Sequence, residues 1–359
     1  MLLANFSSDT LTPESVTTML RASGRFSDVA VEALTVSPIG TGQMAASYRL
    51  DLTYAASSDE HAPGSVVAKV ASTDQSSRQM ALMTAAYRRE VLFYQHLSAT
   101  VETRTPVCYY ADIADGDVDF IALLEDLGPA RTLDQLRGCD ADQASLAIGQ
   151  AAALHGSSWH RSYLGEQWLP VEAVWNMLGA AIPQVTGPWL ERFGDFLEPE
   201  HVSAVTRLGS AVGTWLETLR NHRTLWHGDF RLDNLLFDAR DGAVPVAVVD
   251  WQSVAAAPGV IDVSYFLGNS MTEVERAKHE RDLVTDYHHR LLSYGVENYS
   301  FDECWREYQA HALFGLVLTI PVSMSVQTTE RGDAMFGAMA RRAADQINAN
   351  DSYAALRAL

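Results

Sequence analysis

The chain has 359 residues, 47% of them hydrophobic and 20% charged, enough apolar content for one large core or two medium ones and too much for general disorder. With 45 acidic residues against 26 basic ones, the formal charge of -19 excludes nucleic acid as a partner, because phosphate recognition is built on clustered Lys and Arg. Cys108, Cys139 and Cys304 form an odd, scattered set without a CxxC pair, which excludes a disulfide scaffold and the usual zinc spacings and fits a reducing cytoplasm. The opening MLLANFSSDTLTPES has neither the basic start nor the apolar stretch of a signal peptide. Thr12 and Pro13 begin a helix over 13–22, and residues 31–70 alternate in the manner of a small antiparallel sheet punctuated by Gly and Ser. Met80, Met83, Tyr87, Val91 and Tyr94 recur at helical spacing, so 78–97 is expected to be one helix crossing that sheet. Strand patterns follow at 107–113 and 120–124, the second ending in Glu125-Asp126-Leu127-Gly128, a candidate hinge.

Beyond it the chain reads as helical at 141–159, at 171–197 in pieces, and at 200–221, with all 8 tryptophans from Trp159 onward. Two short strands, 234–237 and 246–250, interrupt the helical part once, around a polar Asp-Ala-Arg-Asp-Gly turn. Helices resume at 272–292, 301–319 and 333–349. The apolar run of 312–326 is too short for a membrane span and contains Pro321, so it reads as a buried helix. No internal repeat or low-complexity tract supports a solenoid or a linker.

The chemistry concentrates in His227-Gly228-Asp229-Phe230-Arg231-Leu232-Asp233-Asn234, with Val248-Val249-Asp250-Trp251-Gln252 after the turn. Phosphoryl transfer needs a carboxylate to orient the attacking hydroxyl and take its proton, and oxygen ligands for the magnesium that bridges the phosphates. Asp229, Asn234 and Asp250 supply that set, and a hairpin can return Asp250 to the mouth of the same cleft. Each piece is common alone; joined in this order with a strand between, they are much rarer. His227 is expected to brace the loop rather than act as a base.

These residues resemble the HxDxxxxN loop and following Asp of the aminoglycoside phosphotransferase and choline kinase superfamily, over nearly the whole chain. HGDFRLDNLLF is similar to the kinase-type domains fused to acyl-CoA dehydrogenases, while Asp-Trp-Gln and Gly259-Val260-Ile261-Asp262-Val263-Ser264-Tyr265-Phe266 resemble the ecdysteroid-kinase-like branch. The resemblance implies a bilobal, protein-kinase-like α+β fold. A nucleotide-binding lobe would span 1–124, a hinge 125–128, and a helical catalytic and substrate lobe 129–359. It implies ATP and Mg2+ as cofactors, Asp229 as catalytic carboxylate, Asn234 and Asp250 as metal ligands, and Asp262 as a carboxylate that fixes the loop. It also places adenine against the Glu125 carbonyl and the Leu127 amide. Arg231 stands where protein kinases carry a charge-neutralising lysine, and it could equally pair with Asp233 or Asp262.

The remaining nucleotide contacts can be read from the residues themselves. Gly40 and Gly42, in Ile39-Gly40-Thr41-Gly42-Gln43, permit a backbone to lie over phosphates. Lys69, flanked by valines, needs an anionic partner, for which Glu90 on the crossing helix is the choice and Glu102 competes, with Arg88 and Arg89 left to solvent. His155 and His160 lack a third ligand for a metal, and His288 and His289 point to different faces of a helix.

For the acceptor, the aromatic stretches 168–196 and 305–324 favour a small apolar alcohol of hydroxyacyl or sterol-like type. Glu172, Glu191, Asp195, Glu303 and Glu307 keep an aminoglycoside or choline-like amine as an alternative, and a nucleotide-binding module without chemistry is a third.

Overall fold

The computed structural model describes residues 10–40, 44–56, 58, 61–169, 172–326 and 328–359, with the backbone alone at 172–174. They fall into two units. The first takes residues up to Thr100 together with Thr105–Pro129 and Val249–Ser253, and the second takes Val101–Arg104, Ala130–Val248 and Val254–Leu359.

In the first unit, helix α1 (Pro13–Ala22) opens on a reciprocal cap in which Thr12 and Ser15 each bind the other's backbone N–H, and it buries Val16, Met19 and Leu20. Strands β1 (Val31–Ile39), β2 (Ala45–Tyr54) and β3 (Ser65–Ala71) are followed by helices α2 (Gln75–Thr84) and α3 (Ala86–Leu92), a π-helical turn Phe93–Leu97, and strands β4 (Cys108–Ile113) and β5 (Phe120–Glu125). The strands form one antiparallel sheet in the order β1-β2-β3-β5-β4. On β3 the two-residue period sends Val66, Ala68 and Val70 into a core shared with Leu20, Leu50, Ile121 and Leu123. Lys69 therefore stands on the opposite face, paired in register with Ser47 and Ala122. The single crossing helix expected over 78–97 is three pieces, because Ala85 takes a left-handed φ of 54° that ends α2.

The second unit contains α4 (Ala141–Ser158), α5 (Glu172–Phe193), α6 (Pro199–Thr218), β6 (Arg223–Trp226), β7 (Leu235–Ala239), β8 (Val244–Val248) and β9 (Ala255–Pro258). It continues through α7 (Val260–Ser270), α8 (Glu273–Ser293), α9 (Phe301–His311), α10 (Phe314–Ser325), α11 (Glu330–Ala349) and α12 (Ser352–Arg357). Strands β7 and β8 make the expected hairpin, and β6 pairs with β9 in a second ribbon that sequence reasoning did not anticipate. The helix expected over 301–319 turns at Ala312 and Leu313 and becomes α9 and α10, which drives Phe314 into the core. Helix α5 runs unbroken through Pro183 and Pro188 where pieces were expected. Trp189, Trp215, Trp226, Tyr265 and Phe314 belong to the core between these helices, and α10 is mostly buried. No helix among the described residues is long and apolar enough to cross a membrane.

Candidate active site

Strand β6 leads into the loop 227–234, whose backbone is held from below by one carboxylate. The amides of His227 and Gly228 donate to the two oxygens of Asp262, at 2.7 and 3.1 Å, and Asp262 is fully buried on α7. Behind it, His155 lies 3.2 Å from Asp262 and 2.9 Å from the Tyr287 hydroxyl. His227 accepts the Asp229 amide on Nδ1 at 3.3 Å, the bracing role expected for it. Gln135 receives the Leu232 amide at 3.2 Å, so both ends of the loop are fixed.

Among the described residues, side chains including Arg231, Asn234 and Tyr265 converge on Asp229. Arg231 donates through Nε to both carboxylate oxygens at 3.1 and 3.2 Å, and Asn234 donates to Oδ2 at 2.9 Å and to the Asp229 carbonyl at 2.8 Å. A further donor, the Tyr265 hydroxyl on α7, reaches Oδ1 at 3.2 Å; sequence reasoning assigned it no role, although it follows Asp262 by one helical turn. Arg231 also pairs with Asp233. Burial works against the charge of the Arg231 guanidinium, but the neighbouring Asp229, Tyr265 and Asp233 outweigh it and hold its pKa above the ordinary value.

The first unit gathers a second set. The Lys69 ammonium lies 2.8 and 2.7 Å from the two oxygens of Glu90 and 2.8 Å from Asp250. Burial alone would lower the Lys69 pKa, and the flanking Asp250 and Glu90 carboxylates raise it above its usual value, so the ammonium stays charged. Burial pushes the Glu90 carboxyl upward while Lys69 pulls it back, and the contact geometry is that of an ion pair. Asp250 has a left-handed φ of 67° and receives Gln252 on its other oxygen at 3.2 Å. The next residue, Trp251, stacks on Phe93 with ring centroids 3.9 Å apart and planes within 8°.

Elsewhere in the first unit, Gly40 ends β1 with φ at 70°, a left-handed turn that favours glycine, and Gly42 lies outside the described residues. Glu125 is buried, exchanging its amide and a carboxylate oxygen with the backbone of Val107 at 2.7 and 3.0 Å. Asp126 pairs with Arg49 at 2.8 Å, and Leu127 is buried. Both acidic side chains of the hinge segment thus make contacts within the fold. Arg89, expected in solvent, is buried, with Nε donating to the Thr84 carbonyl at 3.4 Å, whereas Arg88 is half exposed.

The oxygen chemistry fits a hard divalent cation. Asn234 uses its amide nitrogen on Asp229, which leaves the amide oxygen as its ligand atom, and Asp250 offers a carboxylate.

A five-stranded antiparallel sheet with helices across it, followed by a mainly helical unit carrying a loop–hairpin of this kind, is the kinase-like α+β fold of small-molecule phosphotransferases. The chain belongs to the ecdysteroid kinase-like family, whose model matches residues 40–169 and 184–295. In fold it is similar to a microcompartment-associated aminopropanol kinase, with 15% identity, a TM-score of 0.55, and 94% of this chain and 98% of that one covered. It is likewise similar to aminoglycoside 2'-phosphotransferase-IIIa in its GDP complex, with 15% identity, a TM-score of 0.52, and coverage of 94% and 99%. An ethanolamine kinase of Plasmodium vivax aligns with 8% identity, a TM-score of 0.50, and coverage of 86% and 82%. No curated protein matches this sequence.

Proposed function

We propose that the chain is an ATP- and Mg2+-dependent kinase that phosphorylates a hydroxyl of a small, fairly apolar molecule, working in the cytoplasm. The observation that carries this reading is Asp229, a carboxylate held by Arg231, Asn234 and Tyr265 on a loop anchored by Asp262. A carboxylate so restrained can align an acceptor hydroxyl and take its proton as the new O–P bond forms and the bond from the γ-phosphorus to the bridging oxygen breaks, releasing ADP. Lys69, kept charged beside Glu90 and Asp250, would hold the α- and β-phosphates, with Gly40 and Gly42 over them and the Glu125 carbonyl and Leu127 amide against adenine. Asn234 and Asp250 are the residues that would hold magnesium, which would supply neutralisation of phosphate charge. Arg231, which orients Asp229, would also neutralise charge on the moving phosphoryl group.

The apolar acceptor is favoured by the aromatic stretches 168–196 and 305–324, and two of the five acidic residues that would suit a cationic one already have partners. Glu307 is buried against His222 and the Tyr299 hydroxyl, both at 2.7 Å, and one Glu303 carboxylate oxygen accepts from the amide and hydroxyl of Ser300, the cap of α9. Glu307 is thereby committed within the fold, whereas Glu191 and Asp195 are exposed. Transfer of radiolabelled γ-phosphate to a panel of hydroxyacyl compounds, sterol-like alcohols, amino alcohols and aminoglycosides tests the reading. Labelling of the apolar alcohols is expected, and Asp229→Asn should reduce it by roughly a thousandfold or more while ATP still raises the melting temperature. Labelling confined to the amines would reverse the acceptor assignment, and undiminished activity of Asp229→Asn would remove the mechanism.

A further inference from the structure

Helix α7 carries two residues one turn apart that reach the same loop. Asp262 takes the loop backbone, and Tyr265 takes the Asp229 side chain. Spacing of three residues puts both on one helix face, so the helix that fixes the main chain also fixes the carboxylate. We propose, on the kinase reading above, that Tyr265 is a positioning residue for the reaction: its hydroxyl sets the orientation of the Asp229 carboxylate toward the acceptor.

Arg231, Asn234 and Tyr265 differ in what they do besides donating to Asp229. Arg231 divides its guanidinium between Asp229 and Asp233, and its side chain is 21% exposed. Asn234 divides its amide nitrogen between the Asp229 carboxylate and carbonyl, and its oxygen is assigned to the metal. The Tyr265 hydroxyl has Asp229 as its one described partner, and its ring is 1% exposed. Phe314 packs edge-on against that ring at 5.1 Å and is itself packed by Trp175, Trp215 and Trp226, so the phenol cannot swing away without opening the core. Burial, reinforced by the adjacent Asp229 charge, holds the phenol pKa well above its usual value, so the group remains a donor throughout the working pH range. A buried tyrosine needs a polar partner, and this one is satisfied by a group that proton transfer requires rather than by a carbonyl.

The test uses the full chain, ATP and Mg2+, with water as the phosphate acceptor and ADP release as the readout, for wild type, Tyr265→Phe, Asp229→Asn and the double variant. Tyr265→Phe keeps the ring and removes only the hydroxyl. Its kcat is expected to fall roughly 10- to 100-fold, with KM for ATP within about twofold of wild type, as for a misdirected base. The double variant is expected to be no slower than Asp229→Asn, because the hydroxyl acts through that carboxylate. Unchanged kcat in Tyr265→Phe, a rise in KM for ATP at constant kcat, or losses that multiply in the double variant would each overturn the assignment. If wild type releases no ADP with water or with any acceptor of the panel above, the kinase reading itself is lost and this one with it.

Discussion

Lys69 and Glu90 bring opposite charges together where water is nearly excluded, Glu90 being fully buried. Two charges so placed owe their tolerance to each other, and removing one leaves the other uncompensated. Lys69→Met is therefore expected to destabilise the fold by about 3–5 kcal/mol in urea unfolding, and Lys69→Met/Glu90→Leu to regain most of that loss. Equal stabilities for the single and double variants would show that Glu90 rests on other groups. The residue types of this set could be read from the chain, since a lysine between valines calls for an anion and a helix carboxylate is the local supply. The second anion could not. Asp250 lies 181 positions from Lys69, and no periodicity links a strand to a residue that far along the sequence.

At the level of elements, α7 was legible only through its likeness to a family stretch, for a physical reason. Its eleven residues are all buried, so no polar face marks a helical period. The pairing of β6 with β9 was hidden similarly, as Ala255, Ala256 and Ala257 neither alternate nor favour strands. The start of α7 is also where packing is least forgiving. A Cβ on Gly259 would meet ring atoms of His155 at 2.4–2.7 Å, displacing the imidazole that bonds Asp262. Gly259→Ala is expected to cost about 1–3 kcal/mol and to lower phosphate transfer, measurable together by thermal melting and ADP release. A variant of normal stability and rate would show that the histidine can move without disturbing the loop.

Across the whole molecule, two bulk properties follow from burial. The three cysteine thiols are each pushed up to about 12 by burial, so native protein at neutral pH should react with a thiol reagent far more slowly than protein in guanidinium chloride. The hydrogen bond from His222 to Glu307 raises the histidine above its ordinary 6.5. That bond contributes fully below the unfolded-state value and is lost as pH rises through the folded one, so the deficit of His222→Asn, about 1 kcal/mol, should be present at about pH 6 and shrink by about pH 9. A deficit constant with pH would assign the loss to ring packing. The first unit also receives Val249–Ser253 from far along the chain, which imposes an order on synthesis. When Pro129 emerges from the ribosome, Phe93 has no indole to stack on and Lys69 lacks one of its two carboxylates, and both wait until residue 251 is translated. A gene cut after codon 129 should thus yield a fragment prone to aggregation, and supplying residues 244–258 as a separate peptide is the direct way to ask whether that strip completes it.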